Sequence, residues 1–190
     1  MIDVALTYIQ DILNEHFKNE FSISENKAVL SNLVKADGAM AEKVDGKIVF
    51  FLISLDEEST LKNNRNKSAS QSDGSYVQKV PTLHLNMQLV FCANFDSSVY
   101  IEGLSYLSSL IRFFQIHRKI EISHRNNSSH NANHLNFELC KLDHAQLSHL
   151  WSAIGGKLVP FVQYKVGMLV FDDVPMKEII PTVNEPLSKT

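Results

Sequence analysis

Cysteine is scarce in this chain of 190 residues: there are two, Cys92 and Cys140, far apart and outside any CxxC or Cys/His spacing. That excludes a disulfide framework and a zinc ribbon, and reads as buried thiols kept in a reducing compartment. Long apolar runs are missing too. No stretch approaches the ~18 residues of a membrane helix, and Asp3 and Asp11 interrupt the N-terminal apolar segment where a secretory h-region would tolerate no charge. Cytoplasmic synthesis is therefore expected. Glycine is sparse, seven residues with only Gly155-Gly156 adjacent, so the chain has no P-loop, no GxGxxG and no GxSxG elbow. Nor is there an excess of basic charge: 18 Lys and Arg against 21 Asp and Glu give a net charge of -3 and a pI near 6.2. Nucleic acid, which needs a concentrated basic surface, is not an expected partner.

What remains, 44% hydrophobic and 21% charged residues, is the composition of a soluble globular protein long enough to fold without staples. Ile2, Ala5, Leu6, Ile9, Ile12, Leu13, His16 and Phe17 recur at spacings of three and four and predict an amphipathic helix over 2–19, with Asp3, Thr7, Gln10, Asp11, Asn14 and Lys18 on a solvated face. A short strand is expected at 29–34. Asp45-Gly46 suits a hairpin turn, and Ile48 to Ile53 run without alternation, as in a central strand buried on both faces.

Leu83 to Phe95 alternate over thirteen residues, which at about 3.3 Å each reach roughly 43 Å, so this strand must bend or extend beyond an ordinary sheet. Asp96 or Ser97 then caps a helix of about twenty residues whose apolar positions, Val99 to Phe114, exceed one stripe and predict burial on several sides. Leu135, Phe137 and Leu139 mark another strand. Asp143 and Gln146 stand as N-cap and N3 of a capping box, with Leu142 and Leu147 as its staple, and Gly155 ends the helix; Trp151 is expected to anchor it on the sheet. A last strand follows Pro160. The fold class is α+β, a mixed and largely antiparallel sheet flanked by helices, with one domain over 1–174 and an extended tail over 175–190.

Chemistry is hard to find. His117, His124, His130 and His134 cluster in sequence, but NNSSHNANH is a poor helix former and no acid lies between His124 and His134, so a solvated loop is the simpler reading. His144 and His149 stand about 140° apart on their helix and cannot share a ligand. Cys140 and His144 could be written as a dyad, yet a cysteine on a half-buried strand is ordinarily core. The sequence predicts no catalytic residues, no metal site and no cofactor. The one anomalous segment is 59–80, without periodicity and with a local charge of +3 from Lys62, Arg65, Lys67 and Lys79 against Asp73. Loops of that length in compact domains are commonly functional or disordered. Lys62, Arg65, Lys67, Tyr76 and Lys79 are the candidate partner contacts.

Two stretches carry a family resemblance. PTLHLNMQLVFCANFDSSVYIEGLSYLSSLIRFFQ (81–115) and LNFELCKLDHAQLSHLWSAIGGKLVPFVQYKVGML (135–169) resemble the cap, or tail-terminator, proteins of extracellular contractile injection systems. The resemblance lies in the order and spacing of Pro81, Leu83, Leu85 and Asn86, of Phe113-Phe114-Gln115, of Leu150-Trp151, and of the strand from Pro160 to Met168. It implies a tail-terminator-like fold and a homo-hexameric ring at the baseplate-distal end of a phage-tail-like particle. There the ring would meet the sheath and inner tube and stop their polymerisation, without catalysis and without contact to nucleic acid or membrane. It also implies assembly in the cytoplasm and release as part of the particle. From the residues alone, a monomeric or dimeric adaptor stays open, as does a small-molecule-binding or enzymatic α+β domain.

Overall fold

A computed structural model describes residues 1–58, 76–77, 83–122, 133–171 and 179–180. The chain forms two compact units, one of residues 1–56 with 85–169, the other of 57–84 with 170–190. Three helices, α1 (Ile2–Phe21), α2 (Tyr100–Ile116) and α3 (His144–Ile154), belong to the larger unit, as does most of a six-stranded sheet. In chain order its strands are β1 (Ala28–Leu30), β2 (Lys47–Glu57), β4 (Leu83–Asn94), β5 (Lys119–Ile122), β6 (Asn133–Leu139) and β7 (Phe161–Phe171). They are arranged β1-β2-β4-β7-β6-β5. In the smaller unit β3 (Tyr76–Val77) pairs antiparallel with β8 (Ile179–Ile180).

The expected fold class is what the structure has: a mixed, largely antiparallel sheet with helices on it. β1 runs parallel to β2, whereas β5–β6 and β6–β7 are antiparallel. β2 and β4 are antiparallel as well, since Gly46 N–H reaches Asn94 O at one end and Glu58 N–H reaches His84 O at the other. Alternation along β2 and β4 sends Phe50 and Phe91 to one face, where they stack at 5.1 Å beside Phe114 of α2. The other face gives Val49, Val90 and Cys92 to a cluster closed by Trp151 of α3, with Leu33 and Val44. Trp151 therefore anchors α3 as expected, 5.3 Å from the Phe161 ring. The Asp143–Gln146 capping box forms in both directions, and Gly155 ends the helix at φ 73°.

Five local expectations need correction. The Asp45-Gly46 turn exists, with Gly46 at φ 65°, but it closes no hairpin, because the preceding strand pairs in parallel with β2. That first strand is three residues, not six. β2 is buried only through Ile48, Val49 and Phe50, and Ile53 and Leu55 beyond them are exposed. α2 buries a single stripe, Gly103, Tyr106, Leu107, Leu110 and Phe114, leaving Tyr100, Ile101 and Ile116 open. Asn14 is not solvated: it is buried, donating to Ala28 O at 3.0 Å and accepting from Ala28 N–H at 2.8 Å. β5 and the pair β3–β8 had no clear signal in the sequence.

Candidate functional site

A protein that works by docking shows its site as surface left unfinished by its own fold. Lys62, Arg65, Lys67 and Lys79, singled out from the sequence, lie outside the described residues, as do His124 and His130; Tyr76 is placed only as backbone in β3. The structure does place a different set of groups together, at the C-terminal end of α2.

An open groove of about 730 Å³ is bounded by Ile111, Phe114 and Gln115 of α2, by Arg118 and Lys119, by Asn136 to Leu139 of β6, and by Tyr164 of β7. The local folding explains its form. α2 stops at Ile116, and Arg118 C=O takes the Phe137 N–H, so the chain turns straight into the β5–β6 ladder and holds both walls on one frame. The floor is aromatic: Phe114 and Phe137 stack at 4.1 Å with Tyr164 against both. Burial of Tyr164 raises its hydroxyl above the usual phenol pKa, so it stays neutral. Leu139 on the wall is 60% exposed, and Ile116, next to the groove-lining Gln115, is 68% exposed. Neither Arg118 nor Lys119 enters an ion pair among the described residues. Apolar side chains left in water beside unpaired cations suit a protein partner better than a small metabolite.

Two arrangements resemble catalytic machinery but lack its geometry or its reactivity. His16, Ser109 and Glu20 come together between α1 and α2, with His16 Nε2 2.8 Å from Ser109 Oγ and 2.9 Å from Glu20 Oε2. Both partners use the same ring nitrogen and Ser109 also donates to Glu20, whereas a proton relay needs the acid on one nitrogen and the nucleophile on the other. With Arg112 Nη1 3.2 Å from Glu20 Oε1, the trio is a clasp between two helices. The cysteines are poor nucleophiles as well: burial pushes the Cys92 thiol up to about 12, and burial chiefly raises Cys140 too. Among the described residues no three His, Cys, Asp or Glu side chains gather as a metal site, and no helix is long and apolar enough to cross a membrane.

Sequence reasoning missed the groove because its residues come from α2, β5, β6 and β7, and only the fold brings them together. The available signal was small: Ile116 on a helix end directly before the basic pair Arg118-Lys119.

Residues 5–185 match the family described as the Pvc16 N-terminal domain. No curated protein matches the chain. Among solved structures, the anti-feeding prophage cap (AFP tube terminating cap), determined by cryo-electron microscopy, aligns over 96% of this chain and 60% of its own, at 13% identity and a TM-score of 0.50. The PVC sheath/tube terminator of an extracellular contractile injection system, in its extended state, aligns over 94% of this chain and 64% of its own, at 14% identity and a TM-score of 0.48. The chain thus spans less than two thirds of the length of either, and the likeness to the tube terminating cap is one of fold.

Proposed function

We propose, from the premise that the chain belongs to the Pvc16 N-terminal domain family, that it is a structural terminator: a ring of six copies that caps the baseplate-distal end of a contractile phage-tail-like particle. The observation that carries this reading is the family match over 5–185, nearly the whole chain; the fold shared with a tube terminating cap supports it. The physical logic is that a growing tube or sheath ends in a surface that accepts the next subunit. A cap must match that surface on one side and offer none on the other. A closed ring achieves this when each protomer carries two different complementary patches, so that the contact is heterologous and the rotation closes.

In this reading the partners are a second copy of the chain and the sheath and inner tube proteins. Catalysis, cofactors, nucleic acid and membrane have no part in it. Residues 1–174 act as the terminator-like domain and 175–190 as an extended tail, and the protein is made and assembled in the cytoplasm before release with the particle. The test is the length of the particles. Tails assembled without this chain should be uncapped and broadly distributed in length under the electron microscope, and adding the chain back should restore one sharp length. A sharp distribution in its absence would overturn the assignment.

A further inference from the structure

We propose that the groove at the end of α2 receives helix α1 of the neighbouring copy, forming the head-to-tail contact of the ring; the inference rests on the ring reading above. Four observations converge on it. The groove has an aromatic floor, an exposed Leu139 on its wall and two cations, Arg118 and Lys119, that pair with nothing among the described residues. On the opposite side of α1 from its buried Leu6, Ile9, Leu13 and Phe17, the residues Val4, Tyr8, Asp11 and Glu15 follow at spacings of four, three and four. They form one stripe, apolar in its first half and acidic in its second. Val4 is 42% exposed, and Asp11 and Glu15 are exposed without an ion pair among the described residues.

An amphipathic helix with apolar anchors followed by acids is the complement of an apolar groove beside bases. Two cations meet two anions. The two patches are different surfaces of the same larger unit. Copy after copy can therefore dock in the same sense, as a ring requires, where an isologous contact would stop at two. The contact also covers Leu139 on the groove wall, which the fold of a single copy leaves 60% exposed.

A charge swap tests the contact. Arg118→Glu with Lys119→Glu makes the groove acidic, and Asp11→Lys with Glu15→Lys makes the helix basic; all four positions are exposed, so melting temperatures should stay near that of the unmodified chain. Ring formation is read by sedimentation at high protein concentration and by ring occupancy on assembled tails. Either double variant alone should weaken it roughly tenfold or more, and the quadruple variant, with the charges exchanged, should recover it. Rings that tolerate each double variant, or a quadruple variant no better than its parents, would overturn the proposal. So would rings that form normally with the groove variant but no longer attach to tails, which would make the groove a tail contact. If the unmodified chain forms no ring even on tails, the ring reading itself fails; a ring from the unmodified chain without charge dependence rejects this interface alone.

Discussion

The Asn14 amide holds both polar groups of Ala28, so one side chain from α1 completes the outer edge of β1 and ties helix to sheet. Gln10 Nε2 adds a longer contact to the same carbonyl at 3.4 Å. Asn14→Ala would leave a donor and an acceptor buried without partners, and should cost about 2 to 4 kcal/mol in urea unfolding, far more than the loss of its neighbour Glu15. A loss below about 0.5 kcal/mol would mean that water replaces the amide. This residue also marks a limit of sequence reading. On a helical wheel Asn14 falls beside Asp11 and Lys18 and looks solvated, because nothing local announces that a strand edge fourteen residues away will need its amide. Trp151, by contrast, was legible, since a capping box and its staple orient α3 and leave a large ring no exposed alternative. Among the described residues its Nε1 has no hydrogen-bond partner, and its ring packs on Phe161 at 5.3 Å.

Gly103 of α2 lies close against Phe95, just after β4. A Cβ on Gly103 would sit 2.8 Å from the Phe95 ring and 3.0 Å from its Cβ, and Phe95 is held in turn by a stack on Tyr106 at 5.7 Å and by Lys27 over both rings. In a free helix Gly→Ala gains about 1 kcal/mol. Here overpacking of about 1 to 3 kcal/mol works against that gain, so Gly103→Ala should lower the melting temperature. A raised melting temperature would show that Phe95 moves aside freely. The same element explains why the sequence predicts burial of α2 on several sides. Apolar residues on several faces fix a helix but not what covers them, and the structure buries one stripe while leaving Tyr100, Ile101 and Ile116 exposed. β5 escaped for a different reason: Lys119-Ile120-Glu121-Ile122 is too short a run to show a period, and it becomes a strand only because β6 lies beside it. The Asp45-Gly46 signal specified a turn correctly and its partner wrongly, since a positive φ at Gly46 is local while the parallel register of β1 on β2 is set by the core.

At the scale of the whole molecule, the three helices and the longer strands could be read from periodicity and caps, but the groove could not, because it is assembled from four separated elements. The basic segment 59–80 is the converse case: its composition is plain in the sequence, and its residues Lys62, Arg65, Lys67 and Lys79 lie outside the described ones. We propose it as the electrostatic contact to the tail, distinct from the contact between copies. A stretch of +3 in a chain of -3 raises the encounter rate with an acidic surface without adding to the stability of the fold. Lys62, Arg65 and Lys67 changed together to Ser should therefore leave the melting temperature within about a degree or two and leave rings intact. Docking on tails should slow, and the unmodified chain should show the same slowing in high salt, where the Debye length falls to about 3 Å at 1 M. Particles assembled with the triple variant should then vary in length although every ring still closes. A sharp length with normal docking rates would remove the segment from the mechanism. Loss of rings with the triple variant would instead place these cations between copies, alongside Arg118 and Lys119.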